Sequence, residues 1–208
     1  MENNTTQPTP KRHALGLPGG SVRAIHVIGI IGLVCGIILL PGQHTIPPYL
    51  IYLLFLMIGG YFAAHGVSIS APAEPSPLYL PGGTVRFIIV AALVGCIGWK
   101  LYQDQQGLID QFARSLDDLK KEPVLPLIIL GGFILGVIIA AVLRQLDPAH
   151  VYRDFEAWIS LIALVGIVAA AVIHLVVDPS LGLEQKLYLP MWESFVGGVV
   201  AFYFGERC

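Results

Sequence analysis

Charge is scarce in this sequence. Twelve Lys and Arg with fourteen Asp and Glu make up 12% of its 208 residues, roughly half the share a soluble globular domain carries. With 55% of residues hydrophobic and a mean hydropathy of +0.74, a chain of this size has too little polar surface to cover its apolar content in water. The basic residues are scattered and the formal net charge is -2, which leaves no electropositive footprint for nucleic acid.

Cysteine is scarce too. Cys35, Cys96 and Cys208 are far apart in the chain, and the first two fall inside apolar runs. Neither a disulfide framework nor a paired metal-thiolate spacing follows, so they read as small buried hydrophobes.

Catalytic signatures are missing as well: there is no HExxH, GxSxG, phosphate-binding Walker loop, CxxCH or His pair suited to haem. The central turns of the apolar runs carry no Asp, Glu, Lys or Arg, whereas transporters of charged solutes usually bury such groups along the path. No catalytic, cofactor-binding or metal-ligating residue can be named from these absences.

What the chain does have is long apolar runs. Six are legible: Val22 to Leu40, Tyr49 to His65, Val85 to Tyr102, Val124 to Leu143, Phe155 to Val177 and Met191 to Gly205. At about 1.5 Å per residue a helix needs about 20 residues to cross a hydrocarbon core of about 30 Å. The fourth and fifth runs meet that, the first three need flanking residues, and the sixth is a short tilted or re-entrant piece.

The runs pair up. An apolar helix, a short connection and a second apolar helix with a glycine pair recur three times, at Gly59-Gly60, Gly131-Gly132 and Gly197-Gly198. Leu17 to Arg23 reads LPGGSVR and Leu80 to Arg86 reads LPGGTVR, differing only at Ser21 against Thr84. Pro-Gly-Gly makes a turn, the hydroxyl is placed to cap a helix start, and the Arg is long enough to reach headgroups. Two spans separate the copies, which puts them on one side of a membrane.

The expected fold is therefore an all-α integral membrane protein of about six transmembrane helices, arranged as three tandem hairpins in a parallel repeat. The expected organisation is a disordered polar tail over residues 1–20 and hairpins over 21–69, 70–145 and 146–208. Within the second hairpin, residues 103–122 form a polar connection in which Leu108, Phe112, Leu116 and Leu119 share one helical face. That pattern predicts an amphipathic helix on the membrane or against a partner, or else a solvated extension of the third span. Lys11, Arg12 and Arg23 flank the first span and predict a cytoplasmic amino end, with the first run as an uncleaved anchor; a bacterial plasma membrane is the default location.

Small residues supply the candidate interaction sites. Gly32 with Gly36 and Gly132 with Gly136 are GxxxG pairs, and Gly95 and Gly166 end the two copies of the tetrapeptide ALVG. With the three glycine pairs they define flat faces on which helices in lipid can approach closely. The polar candidates are few. His174 and Asp178 are four residues apart on one helical face, suited to a proton relay, while His26 and His65 fall near span ends. Glu156 with Trp158, and Trp192 with Glu193, read as residues of helix starts. The functional expectation is a non-enzymatic scaffold or accessory subunit whose partners are the bilayer, itself and other membrane subunits. A channel or carrier for a small neutral solute or lipid, and a membrane-embedded enzyme acting on lipids, are the alternatives.

Overall fold

The structure is a computed structural model, and it describes residues 17–18, 20–40, 44–63, 77–81, 83–121, 123–146, 150–177 and 190–206. The amino tail up to residue 16, the linker over 70–76, His65 and Asp178 lie outside the described residues. Among the described residues the fold is all-helical. The helices are α1 (Ser21–Leu39), α2 (Pro48–Ala63), α3 (Thr84–Gln103), α4 (Gln105–Lys121), α5 (Leu125–Leu146), α6 (His150–Val172) and α7 (Pro190–Glu206). A π-helical turn, Ile173–Val177, continues α6, and a short 3-10 turn, Pro77–Tyr79, precedes α3.

Four helices are long and apolar enough to cross a membrane: Ser21–Leu39, Thr84–Gln103, Leu125–Leu143 and Asp154–Val176. α2 is as apolar but has only 16 residues, which reach roughly 24 Å at 1.5 Å each. The outward surface agrees with a hydrocarbon solvent. Phe87 and Val94 on α3, Leu127 on α5, and Ile162 and Val165 on α6 are all exposed, large apolar side chains that water would solvate poorly.

The described residues of the two LPGG copies match one another. Gly20 (φ 80) and Gly83 (φ 90) take left-handed backbone angles immediately before α1 and α3, a region open to glycine and strained for other residues. Ser21 N–H donates to the Pro18 carbonyl at 3.1 Å and Thr84 N–H to the Pro81 carbonyl at 3.0 Å. Ala24 N–H and Phe87 N–H then reach the Gly20 and Gly83 carbonyls at 2.9 and 3.0 Å. The expected hydroxyl caps are not formed, because the glycine itself occupies the cap position and the hydroxyl residue is already the first of the helix. The Ser21 hydroxyl instead accepts the N–H of Leu78 at 2.8 Å, which ties the turn before α3 to the start of α1.

α1 is central and α3 peripheral: half of the α1 span is buried against 17% of the α3 span. Ile30, Val34, Ile37 and Ile38 of α1 pack with Tyr49, Leu50, Leu53 and Met57 of α2, and Val200 and Phe204 of α7 belong to the same core. Pairings along the helices give their relative direction. Ser21 meets Leu78 while Cys35 meets Ala92 and Cys96, so α1 and α3 run parallel. The cysteines, distant in sequence, thus stand side by side: Cys96 Sγ lies 3.5 Å from the Cys35 carbonyl, and both are free thiols. His26 meets Ser160 and Gly29 meets Leu164, so α1 and α6 are parallel. Gly132 meets Gly198 and Gly136 meets Phe202, so α5 and α7 are parallel too.

α4 is a separate helix rather than an extension of α3. The chain breaks at Asp104 (φ -155, ψ 80), whose Oδ1 accepts the N–H of Gly107 at 2.9 Å and so caps the new helix. Its buried residues are Leu108, Gln111 and Ser115, whereas Phe112 and Leu116 of the expected apolar face are exposed. The docking is polar. Ser115 Oγ accepts the Ile46 N–H at 3.0 Å, and Gln111 Nε2 donates to the His44 carbonyl at 2.8 Å. α4 therefore closes over the connection between α1 and α2, satisfying backbone groups that a helix break leaves open.

Candidate functional site

The glycines divide into two sets. Where α5 meets α7 there is no room for side chains: a Cβ built on Gly132 would lie 2.5 Å from the Gly198 carbonyl oxygen, and Cβ atoms on Gly136 and Gly205 would collide with the Phe202 and Phe133 backbones. Gly198 itself faces Ile128 at 3.3 Å, Gly197 faces Ile129 at 3.5 Å, and Gly166 receives the Trp192 ring at 3.4 Å. In contrast, Gly32, Gly36, Gly59, Gly95 and Gly131 have nothing within 4 Å of an added Cβ; Gly60 is half-buried. Contact in lipid depends on close packing of small residues, so the first set is occupied within the chain and the second presents flat backbone outward.

Two polar clusters sit at opposite ends of the bundle. At the end covered by α4, His174 on the π-helical turn donates from Nε2 to the carboxylate of Glu193 in the first turn of α7. Glu193 is 6% exposed. Tyr49, at 0% exposure, lies within electrostatic reach of Glu193, and its hydroxyl has no hydrogen-bond partner among the described residues. The partner expected for His174 was Asp178, its neighbour on the same helix. Asp178 lies outside the described residues; among those described, His174 meets a carboxylate from another helix. An imidazole held by a carboxylate can pass protons, but among the described residues no group of three or more His, Cys, Asp and Glu forms a metal site.

At the other end, His26 is fully buried rather than facing headgroups. Its Nδ1 and Nε2 each lie 2.8 Å from a carbonyl oxygen, of Val22 and Ser160 respectively, and its ring stacks on Tyr203 at 5.5 Å between centroids. A neutral imidazole donates one of these bonds and only the doubly protonated ring donates both. Beside it, between α6 and α7, is a cavity of about 120 Å³. Tyr152, Phe155, Glu156 and Ser160 line it from α6, and Phe202 and Tyr203 from α7. Glu156 is 6% exposed. It does not belong to a helix start, because α6 begins at His150 and Glu156 stands well inside it. Trp158, two residues on, points outward.

The sequence held a signal for this second cluster that is clear only in retrospect: Tyr152, Glu156 and Ser160 recur at intervals of four and share a helix face. Nothing local indicated that α7 would supply two aromatic rings opposite. The architecture defines an all-helical protein with apolar helices of membrane-spanning length. Compared with protein-family models, curated proteins and solved structures, the chain has no match.

Proposed function

We infer that the protein is a polytopic membrane scaffold or accessory subunit, without enzymatic activity, that associates with itself or with other membrane subunits through the glycine faces of α1 and α3. The observation carrying this reading is the contrast between the glycines closed inside the α5 and α7 contact and the open backbone at Gly32, Gly36 and Gly95. Two of these share α1, one turn apart, on a helix rich in Ile, Leu and Val. In lipid, where no hydrophobic force drives helices together, such a face is where a second helix packs at short range.

In this reading α1, α2, α3, α5, α6 and α7 cross the bilayer as three hairpins, and α4 rests on one surface. The parallel pairs α1 with α3, α1 with α6, and α5 with α7 support it, because alternate crossings in such a scheme share a direction. The amino end is cytoplasmic and the membrane is a bacterial plasma membrane. The test is the size of the protein in a mild detergent, by light scattering. Wild type runs as an oligomer or complex and Gly32→Leu/Gly36→Leu as a smaller, folded species. An unchanged size for the double variant removes this interface.

A further inference from the structure

We propose that Cys35 and Cys96 form an oxidisable pair: a lipid-soluble hydroperoxide joins them in a disulfide that fastens α3 to α1. The two residues are 61 positions apart in the chain, yet each thiol points across the seam at the other helix. Cys35 Sγ donates to the Ala92 carbonyl of α3 at 3.7 Å, and Cys96 Sγ donates to the Cys35 carbonyl of α1 at 3.5 Å. Ala92 lies one turn before Cys96, so both bonds fall on one stretch of the seam. The two side chains are also within hydrogen-bonding reach of each other, and both are free thiols. A disulfide requires facing residues with α-carbons about 4.4–6.8 Å apart, and a thiol that touches the opposite backbone marks such a closely packed place.

The pair is asymmetric. Cys96 is 8% exposed, whereas Cys35 is only half-buried, so Cys35 meets an oxidant first. Both belong to helices of membrane-spanning length, and the oxidant that reaches them there is one that dissolves among acyl chains. The Cys35 sulfur attacks the terminal oxygen of the hydroperoxide, the O–O bond breaks, and the alcohol leaves with the thiol proton. Cys35 is then a sulfenic acid, which condenses with a neighbouring thiol. The Cys96 sulfur attacks the Cys35 sulfur, the S–O bond breaks, and the hydroxyl leaves as water with the Cys96 proton. The two thiols together lose two electrons and the hydroperoxide gains them. Attack requires the thiolate, which an apolar medium disfavours, so the pair registers sustained exposure rather than turning over quickly. The consequence is mechanical: α3, with 17% of its span buried, becomes covalently fixed to α1, half of whose span is buried.

The experiment uses the full chain carrying Cys208→Ser, in nanodiscs, treated with cumene hydroperoxide. Intact mass, maleimide labelling of the denatured chain and thermal unfolding are the readouts. The protein is expected to lose the mass of two hydrogen atoms and both reactive thiols, to regain them on reduction, and to melt at a higher temperature while oxidised. Adding Cys96→Ser halts the reaction at a sulfenic acid on Cys35 that dimedone traps; adding Cys35→Ser leaves Cys96 labelled in full. Folded protein in which both thiols survive the hydroperoxide overturns the proposal, as does sulfinic acid on Cys35 with Cys96 still free, or a bond that joins two chains instead of closing within one. A bond formed by diamide and never by the hydroperoxide overturns the assignment of the oxidant.

Discussion

An ideal Cβ on Gly132 falls 2.5 Å from the carbonyl oxygen of Gly198, so α5 and α7 touch backbone to backbone. One residue earlier, Gly131 faces open space. Adjacent glycines with equal helix propensity thus differ only in what surrounds them. Gly132→Leu is expected to lower stability by about 3 kcal/mol, the upper part of the usual cost of forcing atoms into a packed core, whereas Gly131→Leu leaves unfolding unchanged or raises it slightly through helix propensity. Thermal unfolding of both variants in one detergent decides; equal melting temperatures would mean that the seam is not closed.

The apolar runs and the glycine positions were legible because each rests on short-range pattern. Which glycines are closed was not, since Gly132 and Gly32 sit in the same GxxxG spacing and only the position of α7 distinguishes them. What holds α4 to the bundle was not legible for a related reason. Periodicity draws attention to Leu108, Phe112, Leu116 and Leu119, but the helix is held by Gln111 and Ser115, whose partners are backbone groups some seventy residues earlier in the chain. Likewise His26 is a span-end residue by sequence and a core residue by structure, because its second carbonyl partner comes from α6. The cavity depends on aromatic rings from α7 meeting a face of α6, a long-range coincidence that no local spacing encodes.

The matched turns before α1 and α3 make a paired prediction. Gly20 and Gly83 hold φ of 80 and 90, and a Cβ there costs about 1–2 kcal/mol from backbone strain alone. A Cβ at Gly83 meets no neighbouring atom, so strain is the whole effect at that position. Gly20→Ala and Gly83→Ala should each lower stability by about that amount, measured by denaturant unfolding in detergent, while Gly98→Ala, in the middle of α3 with open space beside it, should not. A harmless Gly83→Ala would show that this turn relaxes to another geometry.

His174 and Glu193 join the last turn of α6 to the first turn of α7. Removing the imidazole leaves a carboxylate that is 6% exposed without its donor, at a cost of about 1–3 kcal/mol, toward the upper end for a charged acceptor. His174→Ala should therefore destabilise more than Glu193→Gln, which keeps polar groups on both sides but removes the charge. The double variant His174→Ala/Glu193→Gln should recover part of the loss, because no unpartnered charge remains. Additive losses in the double-mutant cycle would show that the two side chains do not interact.

Ser115 Oγ accepts the Ile46 N–H and donates to the Gln111 carbonyl at 2.9 Å, so one hydroxyl links α4 to the connection between α1 and α2. Ser115→Ala leaves the buried Ile46 N–H without its acceptor, and Gln111→Leu takes from the His44 carbonyl the donor it accepts from, each a loss of about 1–3 kcal/mol. Because the contact is confined to one end of the bundle, the loss should be spent on local opening rather than global unfolding. Hydrogen exchange at Ile46 should then accelerate at least tenfold, that is by 1.4 kcal/mol or more, and protease cutting within residues 103–122 should rise, while exchange at Val27 and Ile30 in the middle of α1 stays as in wild type. Leu116→Ser, on the exposed side of α4, serves as the control: it touches none of these bonds and should leave the Ile46 exchange rate alone. Acceleration of Ile46 by Leu116→Ser to the level of Ser115→Ala would shift the origin of the docking from the hydroxyl to the apolar face.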